Sequence, residues 1–434
     1  MATVAASQVS VTVYNQNLGL VKEVRSIDIQ KGAFTYEASD VAAQMDPTSV
    51  HLKLEGAAVS EQNFEYDLVS RDRLLERYLE QKIQVFTEQG EMFEGTLLST
   101  SGSQLILRSD DGRVQMVSPD AVRDVRFGDL PGGLRTRPTL VWTLFGEKAG
   151  KRDAELSYLT GGMNWHAEYV AVTGEKTEKI ELSSWVSIEN RSGADYENAK
   201  LKLVAGDVRI IQPPGPFDGG RGAYPEYMMK ATQAAPKFEE KAFFEYHLYT
   251  LDQPTTLKDR QTKQISLFPT AGVRALREYI YDASKNSEKV MVNLVFKNGK
   301  AEGLGIPLPA GKVRVYQKDD DGSLEFVGED MIDHTPRDEE VRLVVGSAFD
   351  LSAEREVTDT KRISDRVREE TVGIKLRNHK KEGVEVVVTE RLWGDWQILE
   401  SSLPYEKKNA YMAEFKVKIP ADQETLLTYR VRRH

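Results

Sequence analysis

Apolar and polar residues alternate with a period of two along most of this chain, the pattern of strands with one face buried. VSVTVYN near the start and VKEVRSIDI after it follow that pattern, with Gly32 and Pro47 as punctuation. Residues 8–66 therefore read as a small N-terminal β-unit. From Asp67 to Gln81 the period changes. Leu68, Leu75, Tyr78 and Leu79 share one helical face with charged residues opposite, which predicts a connecting helix over 67–81.

Five closely spaced strands are expected next, at 82–88, 91–99, 104–109, 113–118 and 122–127, separated by turns carrying Gly90, Gly102 and Asp111-Gly112. Asp-Gly between alternating strands marks a tight hairpin, because both positions tolerate positive φ. So compact a set behind a helix predicts a small closed barrel of the SH3-like or Sm-like kind at 82–128. Beyond the PGGLRTRP connector, alternation returns in LVWTLF, HAEYVAV, IELSSWVSIEN, KVMVNLVFKN, KVRVYQ and VRLVVG, which makes 138–369 a central β-sandwich region. Residues 212–241 interrupt it with a Pro- and Gly-rich segment that reads as a mobile loop. VGIKLRN, VEVVVTERL, AEFKVKI and TLLTYRVRR then predict an immunoglobulin-like sandwich at 371–434. The fold class expected is mostly β: stacked antiparallel sandwiches plus the small barrel. One weak recurrence supports stacking, a strand ending in Asn before a polar turn, as in VSIEN at 186–190, LVFKN at 294–298 and IKLRN at 374–378.

Length and charge narrow the reading. A chain of 434 residues is too long for one core and predicts roughly three domains. No stretch approaches the roughly 20 apolar residues of a membrane-spanning helix, so no membrane span is expected. Net charge is -10 and the basic residues are scattered, which argues against nucleic acid as a partner. Within 82–127, Lys82, Arg108, Arg113, Arg123 and Arg126 face seven acidic residues, a poor match for an RNA-binding barrel. Cysteine is absent, which removes disulfides, thiolate nucleophiles and thiolate zinc sites together. The opening MATVAASQVSVTVYN has no basic or apolar leader of its own. Its Ala-rich lead reads as the remnant of a removed signal peptide, so a periplasmic or secreted location is expected, and otherwise a cytoplasmic one.

Each familiar catalytic signature fails on a named residue. A phosphate loop would need Gly305 and Gly311-Lys312 one residue closer together and a hydroxyl in place of Val313. Gly303 and Gly305 begin a dinucleotide-like pattern, but Leu308 replaces its third glycine and Pro307 and Pro309 forbid the helix. Asp319, Asp321 and Gly322 resemble the middle of an EF-hand loop whose end ligands would fall on Gln317 and Gly328, so a hairpin turn is expected there. His166 with Glu168, and Glu245 with His247, sit two apart on expected strands, where each could form an acid-base or metal couple or a simple surface pair. Trp142, Trp165, Trp185, Trp393 and Trp396 could stack on sugars or fill cores. No catalytic, cofactor or metal residue is assigned.

The motifs YLTGGMNWHAEYVA (158–171), WVSIENRSGADYENAKLKLVAGDV (185–208), FEYHLYTLDQPTTLKDRQTKQISLF (244–268), GLGIPLPAGKVRVYQKDDDGSLEFVGED (303–330) and LRNHKKEGVEVVV (376–388) carry a family resemblance. From about Leu140 onward the chain resembles the bacterial family known as domain of unknown function 4139. That resemblance implies an exported envelope protein and no catalytic residues. Longer relatives labelled mucoidy-inhibitor-like carry an N-terminal coiled coil, whereas heptads are absent here. The reading is a non-enzymatic bacterial cell-envelope protein, a structural, scaffold or protein-binding module with protein or cell-surface partners. The alternative is a carbohydrate-binding or carbohydrate-cleaving envelope protein.

Overall fold

The computed structural model describes residues 8–100, 104–128, 134–174, 178–206, 208–209, 238–285 and 288–433. Strands dominate them, as the alternation predicts. The chain divides into two compact units. The first takes Met1–Asn164, Glu189–Leu203 and Gln253–Thr262; the second takes Trp165–Ile188, Val204–Asp252 and Lys263–His434. Of the expected loop at 212–241, residues 212–237 lie outside the described residues and 238–241 begin the strand Phe238–Phe243.

In the first unit, Tyr196–Ala205, Gln8–Tyr14, Gly19–Ile29, Gly150–Thr160 and His51–Leu54 lie side by side in that order. Val11 opposes Val21 and Tyr158 opposes Val21 from the other side, so the alternating valines and Tyr158 meet in the core. A three-stranded sheet pairs Gly32–Ala38 and Ala57–Glu65 to either edge of Thr139–Gly146. Its central Trp142 is fully buried, stacked on Tyr36 at 5.6 Å and donating to Gln62 Oε1 at 2.8 Å.

The remaining strands of this unit form the expected small sheet, in the order Val122–Arg126, Lys82–Thr87, Met92–Ser99, Leu105–Arg108, Val114–Val117. Its edge strands Val122–Arg126 and Val114–Val117 do not pair among the described residues, so the sheet is open rather than a closed barrel. Leu75 and Tyr78 close its apolar side, packing with Ile83, Val85, Leu97 and Leu107. The helix that carries Leu75 is shorter than the periodicity predicts, Arg71–Arg77. Ser70 Oγ caps it by accepting from Arg73 N, and positive φ at Glu80 turns the chain away, leaving Leu68 in a bridge to Arg135 and Leu79 in solvent.

The second unit strings its strands into one mixed sheet: Leu324–Ile332, Gly311–Lys318, Met163–Thr173, Lys179–Asn190, Gln261–Asp282, Lys289–Lys297, Glu340–Arg362, Arg368–Asn378, Gln423–Arg433 and Trp396–Ser401. Among the described residues, 167–173 pair in parallel with 311–317, and 279–282 with 386–389. The sheet wraps two separate cores. One gathers Tyr169, Ala171, Leu182, Val273, Phe296, Val313, Val315 and Leu343; the other gathers Tyr281, Val290, Ala353, Ile374, Val388, Phe415, Leu427 and Val431. Gln261–Asp282, Lys289–Lys297 and Glu340–Arg362 each feed both cores. This is the sandwich-like architecture the alternation predicts.

The recurrent strand-end asparagines prove to be one device used three times. Asn190, Asn298 and Asn378 are all buried. Each donates Nδ2 to a carbonyl of the following loop and to one farther away: Ala194 and Leu257, Ile306 and Pro336, Glu382 and Ile419. A buried amide that satisfies carbonyls from two segments fixes where a strand exits relative to its neighbour.

Candidate functional site

The seam between the two cores of the second unit contains a cavity of about 230 Å3. Register irregularities open it. Val315 pairs with Gly328 but Tyr316 pairs with Phe326, leaving Val327 as an extra residue in its strand. Val292 pairs with Gly346 and Asn293 with Val344, leaving Val345 extra in its own. Between the pairs Met291–Ser347 and Lys289–Ser352, the four residues 348–351 stand against the single Val290, a larger bulge after which pairing resumes. Bulges bend a strand and re-aim its side chains. Here they bring Val327 and Val345 to the cavity wall beside Val292, Leu294, Val315 and Tyr279. Gly328 lets the two bulges touch, since a Cβ there would lie 2.0 Å from the Val345 carbonyl oxygen.

The polar part of this wall is sparse. Asn293 is 4% exposed, and its Oδ1 has no hydrogen-bond partner. Thr173, Gln317 and Ser347 also line the space, with two cations, Arg277 and Lys380, and no carboxylate. Lys380 is held at its backbone, where its N–H donates to Asn378 Oδ1 at 2.9 Å, and its Nζ lies 5.5 Å from the centre of the Tyr279 ring. The wall is therefore mostly apolar, with one buried amide and two cationic side chains among its lining residues.

The histidine pairs fare differently. His166 Nε2 lies 3.2 Å from Glu168 Oε1, so that couple forms. Glu168 also accepts from Gln264 Nε2 at 3.1 Å, and Arg314 stands 3.8 Å away. The His166 hydrogen bond, aided by the charges of Arg314 and Lys312, holds the Glu168 carboxyl below the usual range. Every carboxylate oxygen is engaged, and the cluster lies on the outward sheet face. Glu245 and His247 do not meet: Glu245 sits in the turn after Phe238–Phe243, and His247 Nδ1 turns to Glu240 Oε1 at 2.8 Å. A strand's two-residue period fails where the chain turns.

Trp142, Trp165 and Trp396 are buried, the latter two donating Nε1 to Val204 O and Ala410 O, and Trp185 is half-buried. Trp393 is 65% exposed beside Tyr411, with ring centroids 5.8 Å apart. Asp319 to Ser323 form the hairpin turn, with Gly322 at φ 86 and Asp321 Oδ1 accepting from Ser323 N. Gly303 and Gly305 adopt positive φ in a turn, and no helix follows. Among the described residues no group of three or more His, Asp or Glu is placed to hold a metal.

The first unit contains a larger cavity, about 490 Å3, lined by Gln44, Glu189, Arg191, Gly193, Asp259 and Arg260. Its polar groups answer one another: Gln44 Nε2 donates to Arg191 O, Gly193 N to Asp259 Oδ1, and Arg191 pairs with Glu189. The same unit buries a charge cluster. Arg25, 1% exposed, donates Nε to Glu23 Oε2 at 2.8 Å and Nη1 to Asp40 Oδ1 at 2.6 Å, while Tyr158 donates to Glu23 Oε1. Burial pushes the Glu23 carboxyl up against the opposing pull of Arg25. Closely matched charges of this kind hold a fold together.

Sequence reasoning missed Asn293, Arg277 and Lys380. One signal was available: VMVNLVF sets a lone amide inside an otherwise apolar strand. The model of the family described as domain of unknown function (DUF4139) matches residues 154–432, which takes in all of the cavity wall. The chain belongs to that family. No curated protein matches the sequence.

Proposed function

We propose that this member of the family is a non-enzymatic binding module of the bacterial cell envelope, periplasmic or secreted, that acts through contacts with proteins or cell-surface components. The outward face of the hairpin Gly311–Lys318 and Leu324–Ile332 carries the reading. Because Val327 is an extra residue, alternation resets along the second strand: Leu324, Phe326 and Met331 come to the outer face while Ile332 stays in the core. Tyr316 meets Phe326 edge-on at 5.7 Å. The strand Leu324–Ile332 is the last in its sheet, and beside these apolar groups lie Lys312, Arg314, Glu329 and Glu168, paired with one another. An apolar patch rimmed by charges on a terminal strand is the surface chemistry of a protein contact.

The test is a photo-crosslinking residue at position 326 of the full chain in its native host, with a second probe at exposed Asp365 as control. A discrete adduct from position 326 alone is expected, and fractionation should recover it with the envelope. Repeated absence of an adduct, or identical adducts from both positions, would count against the reading. A second reading, carbohydrate binding, is favoured by the exposed Trp393 and Tyr411 pair. It requires polysaccharide to shield that tryptophan's fluorescence from a soluble quencher.

A further inference from the structure

We propose that one end of the sandwich built around Phe415 and Leu427 docks on an anionic lipid bilayer, seating Trp393, Tyr411 and Ile363 at headgroup depth. The hairpin Gly311–Lys318 and Leu324–Ile332 packs on the other core, so this inference stands or falls apart from the protein-contact reading.

Strand register assembles this end. Arg362 pairs with Arg368, Arg368 with Arg433 and Arg433 with Trp396, the last rung of the sheet among the described residues. Beyond it lie the tip 363–367 and the loop 392–395, two strand spacings or about 10 Å apart. Arg391 and Met412 close the pairing of Val384–Arg391 with Met412–Ile419, and Leu392 N donates to Tyr411 O, so the turn 410–411 comes to the same end. Three large apolar side chains stand in solvent there: Trp393 is 65% exposed, Tyr411 55% and Ile363 47%. The core does not need Trp393, because Trp396 already fills it from the same loop, with Gly394 at φ 80 turning the chain between them.

The charge around these groups leans to one sign. From the last rungs outward, Arg362, Arg366, Arg368, Arg391 and Arg433 stand against Asp365 and Asp395, in a chain whose net charge is -10. Asp365 answers Arg362 and Glu370 answers Arg433, while Arg366, Arg368 and Arg391 are in no ion pair among the described residues. Lys407 adds a cation 4.3 Å from the centre of the Trp396 ring. Trp and Tyr settle at the headgroup level of a bilayer, apolar body inward and polar edge outward. Arginine and lysine beside them reach the phosphates. A protein partner needs one contiguous complementary patch, whereas a bilayer needs only that separate tips reach a common depth. A neutral glycan would answer the aromatic pair but not the arginines.

The full chain is mixed with vesicles of phosphatidylglycerol and phosphatidylcholine in equal parts, and with phosphatidylcholine alone, and bound protein is measured by flotation. Binding to the anionic vesicles is expected at about 50 mM salt, at least about tenfold tighter than to neutral ones, and it should weaken at about 500 mM as the surface charge is screened. Lipids brominated along their chains should quench tryptophan fluorescence. Of the five tryptophans Trp393 is the exposed one, so this signal reports on the proposed end even without a variant. Arg366→Gln with Arg391→Gln should weaken binding by at least about tenfold. Trp393→Ser should remove most of the quenching. All three side chains are exposed, so the variants are expected to fold. Lys53→Gln with Lys151→Gln removes the same charge from exposed positions of the first unit and should bind as wild type. No binding to anionic vesicles at low salt overturns the proposal. Binding without quenching, quenching unchanged in Trp393→Ser, or an equal loss in both double variants overturns it as well. Binding to soluble polygalacturonate without binding to vesicles also sinks it, and returns the aromatic pair to the carbohydrate reading. Crosslinking from position 326 is decided independently of all these outcomes.

Discussion

Arg25 in the first unit and Asn293 in the second are both buried polar side chains, yet their surroundings differ in kind. Arg25 is answered by Glu23 and Asp40, and Glu23 in turn by Tyr158. Asn293 Oδ1 is answered by nothing within the chain, although the residue borders a cavity. Both groups lose their hydration on folding, and only the first recovers hydrogen bonds within the chain. Removing a member of the matched cluster would strand a buried charge, whereas removing the unmatched acceptor breaks no hydrogen bond of the chain.

The largest test of that contrast is Arg25→Met. It strands Glu23 in the core, and a loss of about 3–5 kcal/mol is expected from chemical denaturation. The double variant Glu23→Gln with Arg25→Met should recover part of it, since no buried charge is then stranded and Asp40, which also loses its partner, reaches solvent. A single-variant loss under about 1 kcal/mol would erase the distinction between the two regions.

Asn378→Ala comes next, at about 1–3 kcal/mol, because it leaves the carbonyls of Glu382, Ile419 and Pro420 without their donor. Asn298→Ala should cost less, as its Oδ1 has no bond to lose. Equal losses would mean that the oxygen contributes nothing at either position.

Glu168→Gln should cost under about 1 kcal/mol at neutral pH, since the carboxylate is partly exposed. Its pH dependence has a definite sign. The folded-state pKa is lowered, so the unfolded chain binds the proton more readily and stability rises with pH. The contribution is complete above the ordinary glutamate range and fades as pH falls through the lowered value. Denaturation midpoints of wild type and variant should therefore converge on acidification. Divergence would show that the cluster does not stabilise the ionised form.

The smallest effect is expected from Asn293→Leu, within about 1 kcal/mol of wild type or slightly stabilising, because an unpartnered acceptor is replaced by a group of similar size. A loss above about 2 kcal/mol in the same denaturation assay would mean the amide is matched after all and belongs with Arg25.

Much of the fold was legible in the chain. Alternation located the strands, and Asp111-Gly112 and Asp321-Gly322 marked turns whose glycines do adopt positive φ. The strand-end asparagines were visible as a weak repeat, although their role as staples was not, because each reaches a carbonyl far away in sequence: 67 residues for Asn190, 38 for Asn298 and 41 for Asn378. The helix was overextended, because periodicity does not register a competing cap at Ser70. The closed barrel was over-read, since closure depends on whether two edge strands meet, and each edge is locally an ordinary strand.

The candidate site was least legible. His166 and Glu168 drew notice because they lie two apart, and the structure makes them a satisfied surface pair. Thr173, Arg277, Asn293, Val327, Val345 and Lys380 span some two hundred residues and meet only at the seam. By itself the sequence determined that this chain is built of half-buried strands, that it lacks thiol chemistry and that its basic residues form no stripe, because these follow from composition and from a two-residue period. Only the tertiary structure decided where strands slip register, how two cores share Gln261–Asp282 and Glu340–Arg362, and which buried polar atoms, Asn293 Oδ1 and Asn298 Oδ1 among them, are left unanswered. Register and hydrogen-bond matching are properties of pairs of segments, and no single segment encodes its partner.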